Sequence, residues 1–155
     1  MKALKIIGGI VIVLAVMFVF AAPIGPVPGF FIGGNETEAP ATWPDTSQVH
    51  EIKLSVPGVL PRVVIIWVID YEGELYVVGS RGSGWVDGIG QSSPVKLRIG
   101  DNTYAVNAND VTENGDAVRD AWLDKYRPDY PDIVAGFPSA EEAEGIVAIF
   151  HLART

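Results

Sequence analysis

A chain of 155 residues, 48% of them hydrophobic, suits one domain with an ample core and excludes an intrinsically disordered chain. Its 19 acidic side chains outnumber 11 basic ones, for a formal net charge of −8, and Lys2 and Lys5 are the only charges before Glu36; the strongly acidic remainder excludes nucleic acid as a partner, because phosphate binding needs clustered Lys and Arg. The absence of Cys removes disulfides, thiolate metal sites, iron–sulfur clusters and cysteine nucleophiles together.

Ile6 to Ala22 contain no charged side chain, and the uncharged run continues to Gly34. That is long enough to span a bilayer as a helix, which Pro23 would end. Residues 1–32 therefore read as a single-pass transmembrane anchor. Lys2 and Lys5 on one side, with Glu36 and Glu38 on the other, place the N-terminus inside and the rest outside. A cleaved signal peptide, with Val19-Phe20-Ala21 as its cleavage site, is the rival reading. Both predict an exported domain, periplasmic or extracellular, and the first ties it to the cytoplasmic membrane. Residues 33–48, polar and punctuated by Pro40 and Pro44, read as a linker between membrane and domain.

The domain proper is expected over residues 49–155. Ile52, Leu54 and Val56 alternate with polar residues in a half-buried strand. Pro57-Gly58 turns the chain, and Arg62 to Tyr71 form a β-branched strand buried on both faces. A turn at Tyr71-Glu72-Gly73-Glu74 returns it through Leu75 to Ser80. After the loop Arg81 to Gly84, Trp85 to Gln91 predict one or two helical turns. Pro94 to Ile99 and Thr103 to Asn109 make a second hairpin about Gly100-Asp101-Asn102. Asp110 or Thr112 is placed to cap a helix through Tyr126, with Val118, Ala121, Trp122, Leu123 and Tyr126 on its apolar side. Arg127 to Ala140 reads as irregular, Glu141 to Glu144 as a single turn, and Gly145 to Leu152 as a last strand. Six strands and one substantial helix predict a mainly β fold: an antiparallel barrel with a helix packed across it.

The order of these segments carries a resemblance. Pro61-Arg62-Val63 leads through Glu72-Gly73-Glu74-Leu75-Tyr76 to Ser80-Arg81-Gly82-Ser83-Gly84-Trp85. Pro94 to Gly100, Thr103 to Val106 and the helix end Leu123-Asp124-Lys125-Tyr126 follow. The arrangement resembles the flavin-binding split β-barrel superfamily of pyridoxamine-phosphate oxidase-like proteins, especially its deazaflavin-dependent, nitroreductase-like branch. The resemblance implies a dimer with FMN or the deazaflavin F420 at the barrel rim. It implies that Arg62 grips the cofactor phosphate, that Ser80, Arg81, Gly82, Ser83 and Gly84 supply the cradle around it, and that Trp85 packs beside that loop. Two departures are visible. The turn before the Pro-Arg strand, Ser55 to Leu60, lacks the basic residues of that branch, and Asp87 stands where relatives often carry Asn.

Other chemistries find little footing. His50 and His151 are the only two His and have no ligand spacing, so no metal site is expected, and no Gly-x-Ser-x-Gly elbow marks a hydrolase. The sequence leaves two functions open. One is a membrane-anchored oxidoreductase moving hydride, by way of FMN or F420, to a small organic acceptor. The other is a degenerate barrel without cofactor, serving as a binding module or an accessory subunit of a membrane complex.

Overall fold

The computed structural model describes residues 28–155 apart from residue 144. The anchor expected over residues 1–32 lies mostly outside the described residues, as does the last residue of the turn expected at Glu141 to Glu144. Among the described residues no helix is long and apolar enough to cross a membrane.

The first hairpin forms where the alternation predicts it. In β2 (Glu51–Val56) Ile52, Leu54 and Val56 are buried, while their neighbours in the strand are not. β3 (Arg62–Tyr71) pairs antiparallel with β2 along its first half, from Val56↔Arg62 to Glu51↔Trp67. It then turns through Glu72 and Gly73, both at positive φ, into β4 (Glu74–Ser80). Two positive φ values in a two-residue loop give the turn whose twist matches a hairpin, and glycine supplies one at no steric cost. The Asp70 carboxylate accepts the Gly73 N–H at 3.0 Å and fixes the turn.

A short helix, α1 (Gly84–Ile89), crosses the barrel end and buries Trp85, Val86 and Ile89. β5 (Ser92–Ile99) and β6 (Asn102–Asp110) then form the second hairpin. Pro94 is tolerated within β5 because β2 meets that strand only at Lys96 to Arg98, so no partner needs its missing N–H. β7 (Val147–Arg154) lies between β4 and β6 and bonds to both. The order β6-β5-β2-β3-β4-β7, with β7 returning to β6, is a closed six-stranded antiparallel barrel. Leu54, Val68, Leu75, Val77, Leu97, Val106, Phe150 and Leu152 fill it.

A second apolar layer covers the outside of β3 and β7. After a 3-10 turn at Thr112–Asn114, α2 (Asp116–Tyr126) buries Val118, Trp122 and Tyr126, one per helical turn, against Ile69, Val147 and Ile149. The Trp67 ring stacks on Tyr126, with centroids 4.2 Å apart. Neither Asp110 nor Thr112 caps α2, as the sequence suggests; Asp110 instead accepts the Thr112 N–H at 3.0 Å and holds the 3-10 turn ahead of it. The stretch read as irregular contains α3 (Pro131–Ala135), opened by a Pro at its first position, and the single turn falls at α4 (Ala140–Ala143).

The stretch before β2 departs most from expectation. Gly29 donates to the Val63 carbonyl at 2.8 Å and accepts the Val63 N–H at 2.7 Å, so it is bonded into the barrel wall by one rung. Arg98 donates to the Ile32 carbonyl and Thr103 to that of Gly33. At Gly34, φ is +88° and a Cβ would lie 2.4 Å from the Thr103 hydroxyl, so only glycine fits. β1 (Asn35–Thr37) then adds to β6 in parallel, and Trp43 sinks into the barrel core with 5% of its surface exposed. Residues 33–48 are thus a strap laid along the barrel rather than a free linker. Lys125 of α2 secures its end, its ammonium donating to the carbonyls of Thr46, Val49 and Val68 at 2.9–3.0 Å. Burial lowers the Lys125 pKa below its ordinary value, and the nearby carboxylates of Asp70 and Asp45 offset part of that shift.

Candidate functional site

The barrel wall is not bonded all the way round. β3 pairs with β4 only from Val68↔Val77 to Tyr71↔Glu74, whereas beyond Val77 β4 continues along β7. The first half of β3, Arg62 to Trp67, therefore holds β2 on one side and faces an open seam on the other. Gly29 occupies one rung of that open edge, at Val63. Val64 and Ile66 pack against the barrel core yet stay half-buried, because no strand stands opposite them.

This seam holds a cleft of about 240 Å³. Arg62, Val64, Ile65 and Ile66 of β3 form one wall, Ser83, Gly84 and Trp85 the other, and Pro28 closes one end. Four of the residues singled out in the sequence, Arg62, Ser83, Gly84 and Trp85, thus come together. The Arg62 guanidinium lies flat on Gly84: a Cβ there would stand 3.2 Å from its central carbon and 3.3–3.4 Å from both terminal nitrogens. Arg62 is exposed and, among the described residues, has no ion-pair partner.

The rest of the loop is committed elsewhere. The Arg81 N–H donates to the Ile146 carbonyl at 2.8 Å, Gly82 N–H to the Ser80 hydroxyl at 3.4 Å, and Ser83 N–H to the Ser80 carbonyl at 2.9 Å. The Arg81 side chain turns away from the cleft and pairs with Asp110 at 3.2 Å, a carboxylate with 6% of its side chain exposed. Burial alone would raise the Asp110 pKa; the hydroxyl and N–H of Thr112, together with Arg81, outweigh it and hold the carboxyl below its ordinary value. Trp85 is a core residue, its ring packed over Gly79 and 5.8 Å from Phe150 between centroids. Asp87 is exposed on α1.

What the sequence does not single out is the apolar wall of Val64 and Ile66. Their β-branched run marks a buried strand, and only the missing β4 pairing exposes them. The two His lie away from the cleft, His50 paired with Asp129 and His151 with Glu74, each at 3.3 Å. Among the described residues no three His, Cys, Asp or Glu side chains converge on a metal-sized space.

No family model matches the chain, and no curated protein is similar to it. Among solved structures it is similar to a NimC/NimA family protein from Clostridium acetobutylicum, at 19% identity and a TM-score of 0.49 over 66% of this chain and 73% of that one. It is also similar to an FAD and heme binding protein from Mycobacterium smegmatis, at 14% identity and a TM-score of 0.50 over 70% of this chain. The match spans 62% of the mycobacterial protein. The likeness shows the fold alone, a closed six-stranded split β-barrel. The split in this barrel is the seam between β3 and β4.

Proposed function

We propose that this split barrel is an exported, membrane-anchored oxidoreductase that holds a flavin or deazaflavin by its phosphate at the seam. One observation carries the reading: a guanidinium, Arg62, with no ion-pair partner among the described residues, laid on a glycine at the mouth of an apolar cleft. Guanidinium groups grip phosphate through two parallel hydrogen bonds, and the missing side chain at Gly84 leaves the backbone open to close approach. The fold relative that is an FAD and heme binding protein favours a flavin in this architecture. The residues present fit the phosphate end of such a cofactor through Arg62 and Gly84, and Val64 with Ile66 offer a wall for part of its ring.

Once bound, FMN or F420 supplies the hydride chemistry, with a small organic molecule as acceptor. The chain's own part is binding and exclusion. Arg62 neutralises phosphate charge, while Val64, Ile65 and Ile66 keep water from one face of the cleft. Among the described residues no carboxylate or imidazole lines it. A homodimer placing a second copy over the seam belongs to the same reading.

The test is the affinity of the full chain for FMN and for F420, followed by fluorescence. Arg62→Ala should weaken binding about tenfold or more, the scale of a lost charge-assisted hydrogen-bond pair, and leave the fold intact because the side chain is exposed. Unchanged affinity in that variant would remove the reading's main support.

The commitments of the loop favour a second function, a non-catalytic barrel acting as a binding module or as an accessory subunit of a membrane complex. Three backbone donors expected to cradle phosphate are already bonded within the protein, and Arg81 is paired with Asp110. Protein purified colourless that takes up neither FMN nor F420 fits this second reading; cofactor copurifying near one per chain excludes it.

A further inference from the structure

We infer that the domain sits directly on the lipid bilayer through an apolar apron formed by Phe30, Phe31 and the loop Pro57 to Pro61, an inference that rests on the membrane-anchor reading. Large apolar side chains are seldom left wholly in water, yet Val59 is 105% exposed, Leu60 72%, Phe31 64% and Phe30 47%. Phe30 and Phe31 share a cleft with Pro57 and Pro61, the two prolines that flank Val59 and Leu60 in their loop. The cleft, of about 560 Å³, brings Phe30, Phe31 and Ile32 of the strap against Pro57 and Pro61 of the β2–β3 loop and Val95 of β5. The loop from Ser55 to Pro61 carries no charge, and at the cleft's edge the charges of Lys96 and Glu36 are paired with each other.

The chain's own continuity names the occupant. No charged side chain occurs from Ile6 to Val27, and the described chain begins at the next residue, Pro28. Gly29 is bonded to Val63 through both its N–H and its carbonyl, which fixes the apron close to the end of that run. From Ala22, the last residue before the Pro23 that would end the helix, to Gly29 is seven residues, which even fully extended reach only about 25 Å. If the run up to Ala22 lies in hydrocarbon, the barrel stays within that reach of the membrane, and Phe30, Phe31, Val59 and Leu60 are free to meet the boundary between headgroups and acyl chains. Aromatic and aliphatic side chains suit that depth, and the exposed Arg62 that follows Pro61 suits the headgroup phosphates beside it. A second copy of the chain would cover the same side chains, but nothing in the fold brings one there as the strap brings the bilayer.

The cysteine-free chain makes the test direct. The full chain carrying Leu60→Cys is labelled with an environment-sensitive fluorophore and reconstituted into phosphatidylethanolamine–phosphatidylglycerol vesicles, with Asp132→Cys on α3 as the control. The label at 60 should shift to the blue and lose emission to nitroxide carried on lipid acyl chains, and the label at 132 should do neither. A protein that stays with the vesicles after alkaline carbonate washing, yet shows a water-exposed label at 60, overturns the apron and leaves the anchor standing. A label at 60 that is dry but unquenched by lipid nitroxide is covered by protein, which also overturns the apron; disulfide-linked dimers of the Leu60→Cys chain would then name a second copy. A chain washed off by carbonate overturns the anchor and the apron with it.

Discussion

Tyr126 shows how much one buried polar atom can hold together. Its hydroxyl lies 2.7 Å from the carbonyls of both His50 and Val68 and accepts the Val68 N–H at 3.0 Å, which ties α2 to β3 and to the residue just before β2. One hydroxyl hydrogen serves one carbonyl at a time, so the site is a shared bond rather than three independent ones. Tyr126→Phe should cost about 1–3 kcal/mol, since the buried backbone groups lose a partner while the ring contacts remain. Urea denaturation reads this directly. Burial also pushes the phenol pKa above its ordinary 10.0, so the folded state keeps its proton longer than the unfolded chain does. The Tyr126 contribution is therefore complete below pH 10.0 and falls away as the pH rises toward the higher folded value. Tyr126→Phe should show a shallower loss of stability in alkali than the parent, measured as urea midpoints across that range.

Among the elements, β4 and α1 meet at a contact with no slack. A Cβ on Gly79 would stand 2.1 Å from the Trp85 ring, so Gly79→Ala must displace that ring or bend β4. Overpacking of this kind costs about 1–3 kcal/mol. Because Trp85 also lines the cleft, the same variant should weaken flavin binding, with thermal unfolding and cofactor titration as paired measurements. The barrel strands are legible because strands such as β2 bury alternate residues, and a period of two survives in the text of the chain. β1 is not legible, since Asn35, Glu36 and Thr37 are all exposed and polar, and backbone pairing alone makes them a strand. The convergence of Arg62 with Ser83 and Gly84 follows from the family resemblance. Asp110 as the partner of Arg81 does not, because a pairing across distant segments leaves no local pattern.

For the molecule as a whole, the strap decides how rigidly the barrel is held to what precedes it. Read by composition, residues 33–48 are a linker; one aromatic side chain, Trp43, sets edge-on to Tyr104 with centroids 5.4 Å apart, makes them part of the core. Trp43→Ala should destabilise the domain by about 3–5 kcal/mol and release the strap to proteolysis between β1 and β2, seen by limited digestion and mass spectrometry. The closure of the barrel has a separate consequence for how the protein is made. β7 is bonded on both sides, to β4 and to β6, and follows every other barrel strand in the chain. A nascent polypeptide can form both hairpins early but cannot seal the cylinder until Val147–Arg154 has been synthesised. Until then two naked strand edges stand open, and the interval before β7 arrives is when this protein is most exposed to mispairing with its neighbours.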